Sequence, residues 1–502
     1  MTVDDLRFGT AGLRGPVRPG PGGMNVELVT RATWAVAEWL RINGSGRTVV
    51  VGRDARHGSA EFFAATTEVF AAAGFDVVAL PGHSPTPLVA FACRDLGAAA
   101  AVQITASHNP AGDNGYKLYG GRGTDVPGAQ IVGPVDEQIE ALMSRAPAGI
   151  PRTPVGVEDR ARTARSRYLA RLVERFGESA LPLRVALTPM HGVGGPLALE
   201  ALAGAGVSDV HVVDEQFDPD PDFPTVAFPN PEEPGALDRL LAVAARVDAD
   251  LAVALDPDAD RCALAIPHDG GWRPLTGDEV GALLCHEIAG PGGVVASSIV
   301  SGTLAAAVAE SAGARSVRTL TGFKWLVRAG DPLWYAYEEA IGHCVDPDAV
   351  RDKDGISAAV LAAQTAARLR AAGSSIGALL DELSVRHGVH ATVGRSVRLS
   401  GTTTAAELMA GLRSNPPASA AGIPLALADF ATRTDGLRTD AVEFTGARGD
   451  LAVRALVRPS GTEPKVKVYV EVVTPVGSTA EVSRTCREAS DLASRVAVGL
   501  LA

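Results

Sequence analysis

One pattern of apolar and polar positions recurs along the chain. An apolar run of strand length is followed by a polar or glycine-rich loop and then by an alanine-rich, amphipathic segment that ends at a glycine. A second apolar run closes the unit. The first copy consists of the strand 49–51, the loop 52–59, a helix that ends at Ala73-Gly74 and the strand 76–80.

Two further copies follow the same order. The second comprises the strand 183–187, the turn 192–195, a helix that ends at Ala205-Gly206 and the strand 210–213; the third comprises the strand 294–297, the turn Ser301-Gly302, a helix that ends at Ala312-Gly313 and the strand 316–320. Strands joined by helices of this length favour right-handed crossovers in a parallel sheet. The pattern therefore predicts three similar α/β domains with mixed, mostly parallel sheets.

The C-terminal part of the chain has a different pattern. Residues near 451–456 and 466–472 alternate between apolar and polar, as strands do, and the segment from Thr479 onward is helical. These features predict a smaller α+β domain. Two segments rich in proline and small residues, 146–157 and 415–424, are expected to be linkers, the second a flexible connection to this last domain.

The composition and charge of the chain exclude several classes of protein and of partner. The 502 residues are 46% hydrophobic and 21% charged, which indicates a globular protein of several domains. A net charge of −12 argues against nucleic acid or an anionic membrane as partner. The N-terminal residues lack the pattern of a signal peptide, and no apolar run approaches the roughly 18 residues of a membrane helix. The five scattered cysteines are expected to be reduced thiols in a cytoplasm.

The run Thr105-Ala106-Ser107-His108-Asn109-Pro110 places a hydroxyl nucleophile beside an imidazole. It follows the apolar stretch 98–104, and the proline ends regular structure, so Ser107 is expected on a loop at a strand end. Taken alone, such a run is more often an ordinary turn than a catalytic loop. The surrounding sequence lacks the G-x-S-x-G pattern of an esterase nucleophile.

Three carboxylates, Asp256, Asp258 and Asp260, follow the apolar run 251–255. Carboxylates so close repel one another unless a cation neutralises them, and oxygen ligands without a nearby Cys or His pair favour Mg²⁺ over zinc. A solvated acidic turn is one alternative. The D-x-D-x-T loop of aspartyl-phosphate phosphatases is another, but Asp260 occupies the position of its threonine.

The run Arg458-Pro459-Ser460-Gly461-Thr462-Glu463-Pro464-Lys465 could bind a phosphate through its guanidinium, its hydroxyls and the backbone at Gly461. A surface turn between two strands is the alternative. Lys324 and Lys353 are further candidate cations, and Glu338 could accept hydrogen bonds from sugar hydroxyls. Together the nucleophile, the acidic loop and the phosphate loop indicate phosphoryl transfer.

With these loops in this order, the chain resembles the α-D-phosphohexomutases, the family of phosphoglucomutases and phosphomannomutases. The resemblance runs from the segment 8–15 almost to the C-terminus. It implies four domains around a central cleft, which we place at residues 1–150, 151–275, 276–390 and 391–502. The serine, metal, sugar and phosphate loops would each come from one domain, in that order.

The resemblance also implies a role for each candidate residue. Ser107 would carry a phosphoryl group in the resting enzyme, and Asp256, Asp258 and Asp260 would hold one Mg²⁺ together with an oxygen of that group. Lys117 is similar to the family's general acid or base, and Arg14 and His108 would line the same site. The substrate would be bound by Arg261, Lys324, Glu338, Lys353, Arg458, Ser460, Gly461 and Thr462.

The sugar loop departs from the common G-E-E-S-G pattern of the family. Tyr337 replaces the first glycine and Ala340 replaces the serine, so one hydroxyl contact to the sugar is missing. The loop and the start of the chain look like the branch that contains bacterial phosphoglucomutases and phosphopentomutase-type mutases.

The expected activity is interconversion of a hexose 1-phosphate and a hexose 6-phosphate, with glucose as the first candidate, by a monomer or homodimer primed by a sugar 1,6-bisphosphate. Mannose and pentose phosphates are the alternative substrates. A metal-dependent sugar phosphatase and a non-catalytic sugar-phosphate sensor are the alternatives from other classes.

Overall fold

The computed structural model describes residues 6–9, 12–44, 46–156, 158–177, 182–398, 404–459 and 465–501. No helix within these segments is both long enough and apolar enough to span a membrane.

The first domain is built on a mixed sheet with the strand order β1-β5-β4-β2-β3. Strand β2 lies parallel to β3 and β4, whereas β5 runs antiparallel to β4 and β1. Its elements are β1 Leu13–Pro16, α1 Val26–Asn43, β2 Thr48–Arg53, α2 Ser59–Ala72, β3 Asp76–Ala79, α3 Thr86–Asp95, β4 Ala100–Ile104, β5 Asp113–Gly120 and α4 Val135–Met143. The polar loop that contains Ser107 connects β4 to β5, at the edge of the sheet where β2 and β4 end.

The second domain repeats this plan with the strand order β10-β9-β8-β6-β7. Strand β6 is parallel to β7 and β8, and β9 is antiparallel to β8 and β10. Its elements are α5 Asp159–Phe176, β6 Arg184–Thr188, α6 Gly195–Gly204, β7 Asp209–Val212, α7 Asp214–Phe217, α8 Asp238–Val247, β8 Leu251–Leu255, β9 Cys262–His268 and β10 Gly271–Pro274. The three aspartates lie in the turn between β8 and β9, which corresponds to the serine loop of the first domain.

The third domain has the strand order β12-β11-β13-β14, with β11 parallel to both of its neighbours and β14 antiparallel to β13. Its elements are α9 Gly277–Ile288, β11 Val294–Ser298, α10 Leu304–Ser311, β12 Arg315–Thr319, α11 Phe323–Leu326, β13 Leu333–Glu338, β14 Gly342–Cys344, α12 Gly355–Ala371 and α13 Ile376–His387. The predicted repeat of three α/β units with mixed sheets is therefore confirmed.

The C-terminal domain is an antiparallel sheet, β15-β21-β20-β19-β18, on which helices pack. Its elements are β15 Val389–Arg398, α14 Ala405–Ser414, β16 Ser419–Ala420, β17 Ile423–Pro424, β18 Ala426–Asp429, a 3₁₀ turn Phe430–Thr432, β19 Val442–Arg448, β20 Leu451–Pro459, β21 Lys465–Thr474 and α15 Thr479–Gly499. The α+β prediction is confirmed.

The two predicted linkers have different outcomes. Residues 146–156 contain neither helix nor strand and connect α4 to α5, as expected. Residues 415–424 are not a connection to the last domain, so that prediction is wrong. The chain has already entered this domain through β15, which pairs with β21 along its whole length, and the segment forms the β16–β17 hairpin inside the domain. The exact domain boundaries stay a prediction.

The domains share a core and meet closely around the aspartate turn. One buried apolar cluster contains Val50 of the first domain, Val253 of the second and Val360 of the third. Two glycines permit backbone approach at the aspartate turn: a Cβ on Gly192 would lie 2.4 Å from the carbonyl oxygen of Pro257, and one on Gly355 would lie 2.3 Å from that of Arg261. The turn is therefore enclosed by backbone from its own domain and from α12.

Candidate active site

Ser107 is buried in the turn between β4 and β5, with only 1% of its surface exposed. Its backbone has a φ of 55°, a left-handed conformation that non-glycine residues adopt rarely and that often marks functional turns. The amide donates to Thr105 Oγ1 at 2.9 Å, and the hydroxyl donates to Asp256 Oδ2 at 2.8 Å. The nucleophile of the first domain thus contacts the acidic turn of the second.

His108 Nδ1 lies 3.2 Å from Ser107 Oγ. Burial, with the nearby guanidinium groups of Arg261 and Arg14, lowers the pKa of His108 well below its ordinary value. The imidazole is therefore neutral at physiological pH and can exchange a hydrogen bond with the serine without adding charge to the site.

Arg56 holds the serine loop and was missed by the sequence analysis. Its buried guanidinium donates to the backbone carbonyls of Ser107 at 2.6 Å, Asn109 at 2.7 Å, Pro110 at 2.8 Å and Asp113 at 3.1 Å. Asp54 Oδ2 lies 3.4 Å from Arg56 Nε. A signal was present, because the polar loop after β2 must lie beside the loop after the adjacent parallel strand β4.

Asp256, Asp258 and Asp260 are all fully buried, and one carboxylate oxygen from each lies within 4.8 Å of the others. They occupy a turn in which Ala259 has a φ of 56° and its amide donates to the Asp256 carbonyl at 2.8 Å. Alternate residues of this turn therefore direct carboxylates into one small volume.

Cations from two other domains surround these carboxylates. Lys117 Nζ lies 2.5 Å from Asp258 Oδ2 and 2.6 Å from Asp260 Oδ2, and Lys353 Nζ lies 3.2 Å from Asp260 Oδ2. Burial alone would raise the pKa of Asp260, but the ammonium groups of Lys117 and Lys353 lower it below its usual range. For Asp256, burial and the two neighbouring carboxylates raise the pKa well above its usual range.

The aspartates fit a hard divalent cation. Asp258 Oδ1 and Asp260 Oδ1 are buried and accept no hydrogen bond from the described residues. The ammonium group of Lys117 bridges the other oxygens of the same two carboxylates, as expected where uncompensated negative charge attracts a cation. An all-oxygen donor set of this kind suits Mg²⁺, and the Ser107 hydroxyl on Asp256 is close enough to join it.

Arg261 connects the acidic turn to the sugar loop. Its amide donates to Asp256 Oδ1 at 3.0 Å and its Nη1 donates to the carbonyl of Ala340 at 2.8 Å. Arg14 belongs to the same group, since the charges of Asp258, Asp260 and Arg261 act on it; burial lowers its pKa, and its Nε has no hydrogen-bond partner among the described residues.

The sugar loop begins at the end of β13. Glu338 Oε1 accepts the amide of Gly322 at 2.7 Å, and burial raises the pKa of Glu338 although Lys353 acts in the opposite direction. Tyr337, which replaces the family's glycine, is fully buried and donates its hydroxyl to the Gly302 carbonyl at 2.9 Å. The Tyr337 side chain therefore stabilises the sugar loop from its buried side.

The structure places the predicted substrate-binding residues in different parts of the molecule, and some of them lie outside the described residues. Arg261, Glu338 and Lys353 lie with the serine and the aspartates. Arg458 Nη1 donates to Thr321 Oγ1 of the third domain at 2.8 Å, whereas Ser460, Gly461 and Thr462 lie outside the described residues. Lys324 Nζ donates to the Gly9 carbonyl at 3.3 Å, and its described contacts are with the first domain rather than with the aspartates.

A cavity of about 720 Å³ opens beside the sugar loop, between the second, third and fourth domains. It is bordered by Glu232, Glu339, Ala340, Arg454, Lys467 and Tyr469. Because Arg261 bonds to the Ala340 carbonyl, the cavity and the aspartate turn meet at this loop. Phosphoryl chemistry and recognition of a polar ligand can therefore take place side by side.

Arg56→Lys should loosen the serine loop, because a single ammonium cannot replace four hydrogen bonds from a planar guanidinium. We expect a loss of about 2–4 kcal/mol in the free energy of unfolding, measured by urea denaturation. Amide hydrogen exchange of residues 105–113 should accelerate more than that of β3. The matched control is Arg53→Lys, since Arg53 makes one long bond of 3.3 Å to the Asp54 carbonyl; equal effects of the two variants would contradict this role.

Asp278→Asn should stabilise the protein increasingly as pH rises. Burial, and secondarily the charge of Glu339, raise the pKa of Asp278 from 3.8 to about 7. Between these values the native state keeps a proton that the unfolded chain has released, so the native stability of the parent protein falls as pH rises to 7. Asn does not ionise, so in the Asp278→Asn variant this position adds no pH dependence to the stability.

The free energy of unfolding of Asp278→Asn relative to the parent should therefore increase between pH 5 and pH 7, on the order of 1.4 kcal/mol for each pH unit, and level off above pH 7. The amide can keep the acceptor for the Gly302 amide, which lies 2.7 Å from Asp278 Oδ1. Asp269→Asn, which removes a carboxylate from an exposed turn, is the control for the chemical change itself. A stability difference for Asp278→Asn that stays constant with pH would count against the shifted pKa.

Comparison with known families agrees with this site. Models of the phosphoglucomutase/phosphomannomutase family match the chain in four successive segments. The alpha/beta/alpha domains I, II and III match residues 5–147, 166–270 and 276–386, and the C-terminal domain matches residues 416–482.

Similar proteins carry the names of several phosphosugar mutases. A Haemophilus influenzae protein named "Probable phosphomannomutase" is 39% identical over 89% of this chain and 93% of its own length. The Homo sapiens phosphopentomutase is 33% identical over 98% of this chain and 88% of its own, and a Staphylococcus epidermidis phosphoglucomutase is 31% identical over 93% and 90%.

Solved structures confirm the fold. A phosphoglucomutase/phosphomannomutase family protein from Burkholderia thailandensis superposes with a TM-score of 0.72 at 21% identity and covers 97% of both chains. The open form of the Paramecium phosphoglucomutase parafusin gives a TM-score of 0.71 at 18% identity, over 99% of this chain and 97% of its own. The chain belongs to the phosphoglucomutase/phosphomannomutase family and is a phosphosugar mutase.

Proposed function

We propose that the enzyme interconverts glucose 1-phosphate and glucose 6-phosphate through a phosphorylated Ser107 and glucose 1,6-bisphosphate. The observation that carries this proposal is the contact between Ser107 Oγ and Asp256 Oδ2 at 2.8 Å. A nucleophile from one domain is thereby held against a buried carboxylate cluster of another, with Lys117, Lys353 and Arg261 around it.

The reaction balances without water. The bond between phosphorus and Ser107 Oγ breaks as a sugar hydroxyl forms a new bond to phosphorus, and the hydroxyl proton leaves to a base. The resulting bisphosphate returns its other phosphoryl group to Ser107, so the sugar leaves with its phosphate on the second oxygen. Lys117, whose ammonium group lies beside the acidic turn, would give a proton to the departing Ser107 oxygen and recover one from the attacking hydroxyl.

Cationic side chains would offset the charge that develops on the phosphoryl oxygens. Arg14 and Arg261 are the guanidinium candidates, since both lie within the field of the aspartates. A Mg²⁺ ion held by Asp256, Asp258 and Asp260 would supply further positive charge at the same place. The burial of Ser107 and the neutral His108 beside it would restrict water, which otherwise competes with the sugar hydroxyl.

The phosphate that is not transferred would be bound by the C-terminal domain. Arg458 lies near the end of β20 and contacts Thr321, which precedes the Gly322 amide that donates to Glu338. We propose that Arg458, with Ser460, Gly461 and Thr462, grips this phosphate in both orientations of the sugar. A sugar 1,6-bisphosphate would prime the enzyme by phosphorylating Ser107.

A pentose phosphate is the second candidate substrate. The sugar loop offers the methyl group of Ala340 where the family pattern has a serine hydroxyl, and it commits the Ala340 carbonyl to Arg261. A sugar with fewer hydroxyl groups would lose fewer hydrogen bonds at this position. Relatives named phosphopentomutase and phosphoribomutase, at 33% and 36% identity, favour the same candidate. The alternative phosphomannomutase specificity is favoured by the relative at 39% identity.

Two expectations from the sequence stay proposals. A cytoplasmic location fits the free thiols, of which Cys93, Cys262, Cys285 and Cys344 are buried. We also propose that the enzyme acts as a monomer or a homodimer.

The test of substrate identity is a panel of glucose 1-phosphate, mannose 1-phosphate, ribose 1-phosphate and glucosamine 1-phosphate, each assayed with its bisphosphate as primer. We expect the highest kcat/KM for glucose, with ribose second. A higher kcat/KM for ribose or mannose would replace glucose as the substrate. Net release of inorganic phosphate at a rate comparable with isomerisation would support a phosphatase instead.

Ser107 should carry one phosphate in the purified enzyme, detected by intact mass and localised by peptide mapping. Ser107→Ala should remove this mass and reduce turnover by at least about 10³-fold, because no other described hydroxyl contacts Asp256. Its thermal stability should stay close to that of the parent, as should the activity of a Ser166→Ala control on the exposed face of α5. Near-normal mutase activity in Ser107→Ala would overturn the phosphoserine proposal.

Removal of the metal should abolish activity reversibly. Chelation by EDTA should reduce turnover by more than about 10²-fold, and Mg²⁺ should restore it. Asp258→Asn should weaken Mg²⁺ binding by at least about tenfold in calorimetry, since an amide lacks the charge that a hard dication requires. Asp269→Asn is the control at an exposed carboxylate. Full activity in metal-free enzyme would rule out the proposed ion.

A further inference from the structure

A second cavity, of about 990 Å³, lies where the first, second and third domains meet. Its volume is in the range of roughly 300–1,000 Å³ that is typical of small-molecule sites. Five arginines border it: Arg94, Arg122, Arg171, Arg328 and Arg351. Guanidinium groups from three domains thus gather around one space in a chain whose net charge is −12. We call this space the arginine cavity.

The arginine cavity lies away from the active site. In the first domain its border is formed by residues 93–97, which precede β4, and 122–127, which follow β5, whereas Ser107 lies between the other ends of these two strands. In the third domain its border is formed by residues 327–331 before β13 and 348–351 after β14, whereas the sugar loop joins the other ends of those strands. The cavity is therefore at the sheet edges opposite to those that carry the catalytic loops.

Two of the five arginines are already paired with carboxylates. Arg328 donates to both oxygens of Asp125, at 2.6 and 2.9 Å, and so joins the third domain to the first. Arg171 of α5 donates to both oxygens of Asp346, at 2.7 and 2.9 Å, and so joins the second domain to the third. These pairs fix the walls of the cavity, and the other three arginines are the candidates for binding a ligand.

Arg94 and Arg351 are held by backbone carbonyls instead. Arg94 donates to the carbonyl of Pro127 and, at 3.0 Å, to that of Asp348. Arg351 Nη1 donates to the Val327 carbonyl at 3.3 Å, and its buried Nε has no hydrogen-bond partner among the described residues. Because a guanidinium carries five N–H donors, each of these side chains keeps donors for a ligand.

The charges of Arg94 and Arg351 are poorly compensated. Burial, and secondarily the charge of Arg351, lower the pKa of Arg94, so the two guanidinium groups repel each other. Asp331 Oδ1 lies 3.7 Å from Arg351 Nη2, and its side chain is 89% exposed. Asp348 at the border of the cavity is exposed as well. Carboxylates in water offset such repulsion weakly, whereas an anion bound between the two arginines would remove it.

Glycines make room for two of these arginine side chains. A Cβ on Gly97, which has a φ of 56°, would lie 3.1 Å from Arg122 Nη2. A Cβ on Gly128 would lie 2.2 Å from Cγ of Arg94. The guanidinium of Arg122 therefore lies over residue 97 at the border of the cavity, and its exposure leaves it able to turn toward a ligand.

A recess of about 280 Å³ adjoins the arginine cavity, and the two share Gly123, Asp125 and Arg328. Its wall includes one aromatic and several aliphatic side chains: Trp39, Ile131, Val132, Pro134 and Val135. Apolar walls of this kind suit a flat ring, and the guanidinium groups beside them suit phosphates. The two spaces together match a molecule with a ring at one end and phosphates at the other.

We propose that the arginine cavity and its recess bind a nucleoside diphosphate, with the phosphates on Arg94, Arg122 and Arg351 and the base in the recess. A guanidinium offers paired N–H donors that match two oxygens of one phosphate. Such a ligand would contact the first domain through Arg94 and the third through Arg351, so its binding would stabilise their docking. The site is separate from the one proposed for the sugar phosphate.

The class of ligand can be tested by calorimetry of the full chain with ADP, pyrophosphate and adenosine, each without Mg²⁺. We expect ADP to bind at least about tenfold more tightly than pyrophosphate, because burial of the base adds to the phosphate contacts. Adenosine should bind at least about 100-fold more weakly than ADP. Equal affinities for ADP and pyrophosphate would overturn the role of the recess, and absence of ADP binding would overturn the site.

The position of the site can be tested with variants. Arg94→Gln and Arg351→Gln should each weaken ADP binding by about 10–100-fold, as for hydrogen bonds between charged groups. Arg162→Gln is the matched control, since it removes the same charge from a side chain of α5 that is 67% exposed, and it should change the affinity by less than about twofold. Arg458→Gln should also leave ADP binding unchanged. Loss of binding in Arg458→Gln, with normal binding in Arg94→Gln and Arg351→Gln, would place ADP in the catalytic cleft and overturn the proposal.

Two further measurements do not depend on how well a single variant folds. In the unmodified protein, ADP should slow amide hydrogen exchange of residues 122–126 and 328–331 by at least about threefold and leave residues 105–113 unchanged. ADP should also raise the melting temperature of the parent protein but not that of the double variant Arg94→Gln/Arg351→Gln. Protection of residues 105–113 alone, or an equal rise in melting temperature in the double variant, would contradict binding at the arginine cavity.

Discussion

Three buried carboxylates within one turn impose the strongest constraint on this molecule. Ionised carboxylates cannot stay so close in a medium of low polarity unless cations compensate them. The second domain supplies Arg261 from the same turn, but Lys117 comes from the first domain and Lys353 from the third. The aspartate turn therefore needs the neighbouring domains, and their docking on it brings Ser107 and the sugar loop to the same place.

The domains can dock in this way because each of the first three carries its polar loop at an equivalent edge of its sheet. Ser107, Ala259 and Ile341 all adopt left-handed backbone conformations in the turns that carry the site. Such turns reverse the chain within a few residues, so that the side chains project from the sheet edge rather than along it. The close backbone contacts at Gly192, Gly277 and Gly355 then leave little freedom for one loop to move without the others.

The C-terminal domain is connected to this arrangement by polar contacts and by a small apolar cluster of Ile299, Val300, Phe430, Ala441 and Leu456, whereas a much larger apolar cluster joins the other three domains. Arg454 bonds to the Ile299 carbonyl, Arg318 bonds to Glu443, and His390 and Glu471 contact Thr303. Polar contacts of this kind can be exchanged for water at small net cost, whereas separation of packed apolar faces is expensive. The fourth domain is accordingly the part of the molecule best suited to change position while the other three stay together.

The sequence by itself determined the repeated α/β units, the α+β domain and the serine, aspartate and sugar loops, because hydrophobic period and clustered polar residues are local properties. It could not determine which distant residues meet. Arg56 donates to backbone carbonyl oxygens, so no side-chain motif marks its partners, and its place beside the serine loop follows from the pairing of β2 with β4. Lys324 donates to the Gly9 carbonyl because two domains dock there. Residues 415–424 have the composition of a linker but lie inside the last domain, because β15 and β21 pair across about 75 residues of chain. Long-range pairing and burial decided these points, since both depend on contacts between segments far apart in sequence.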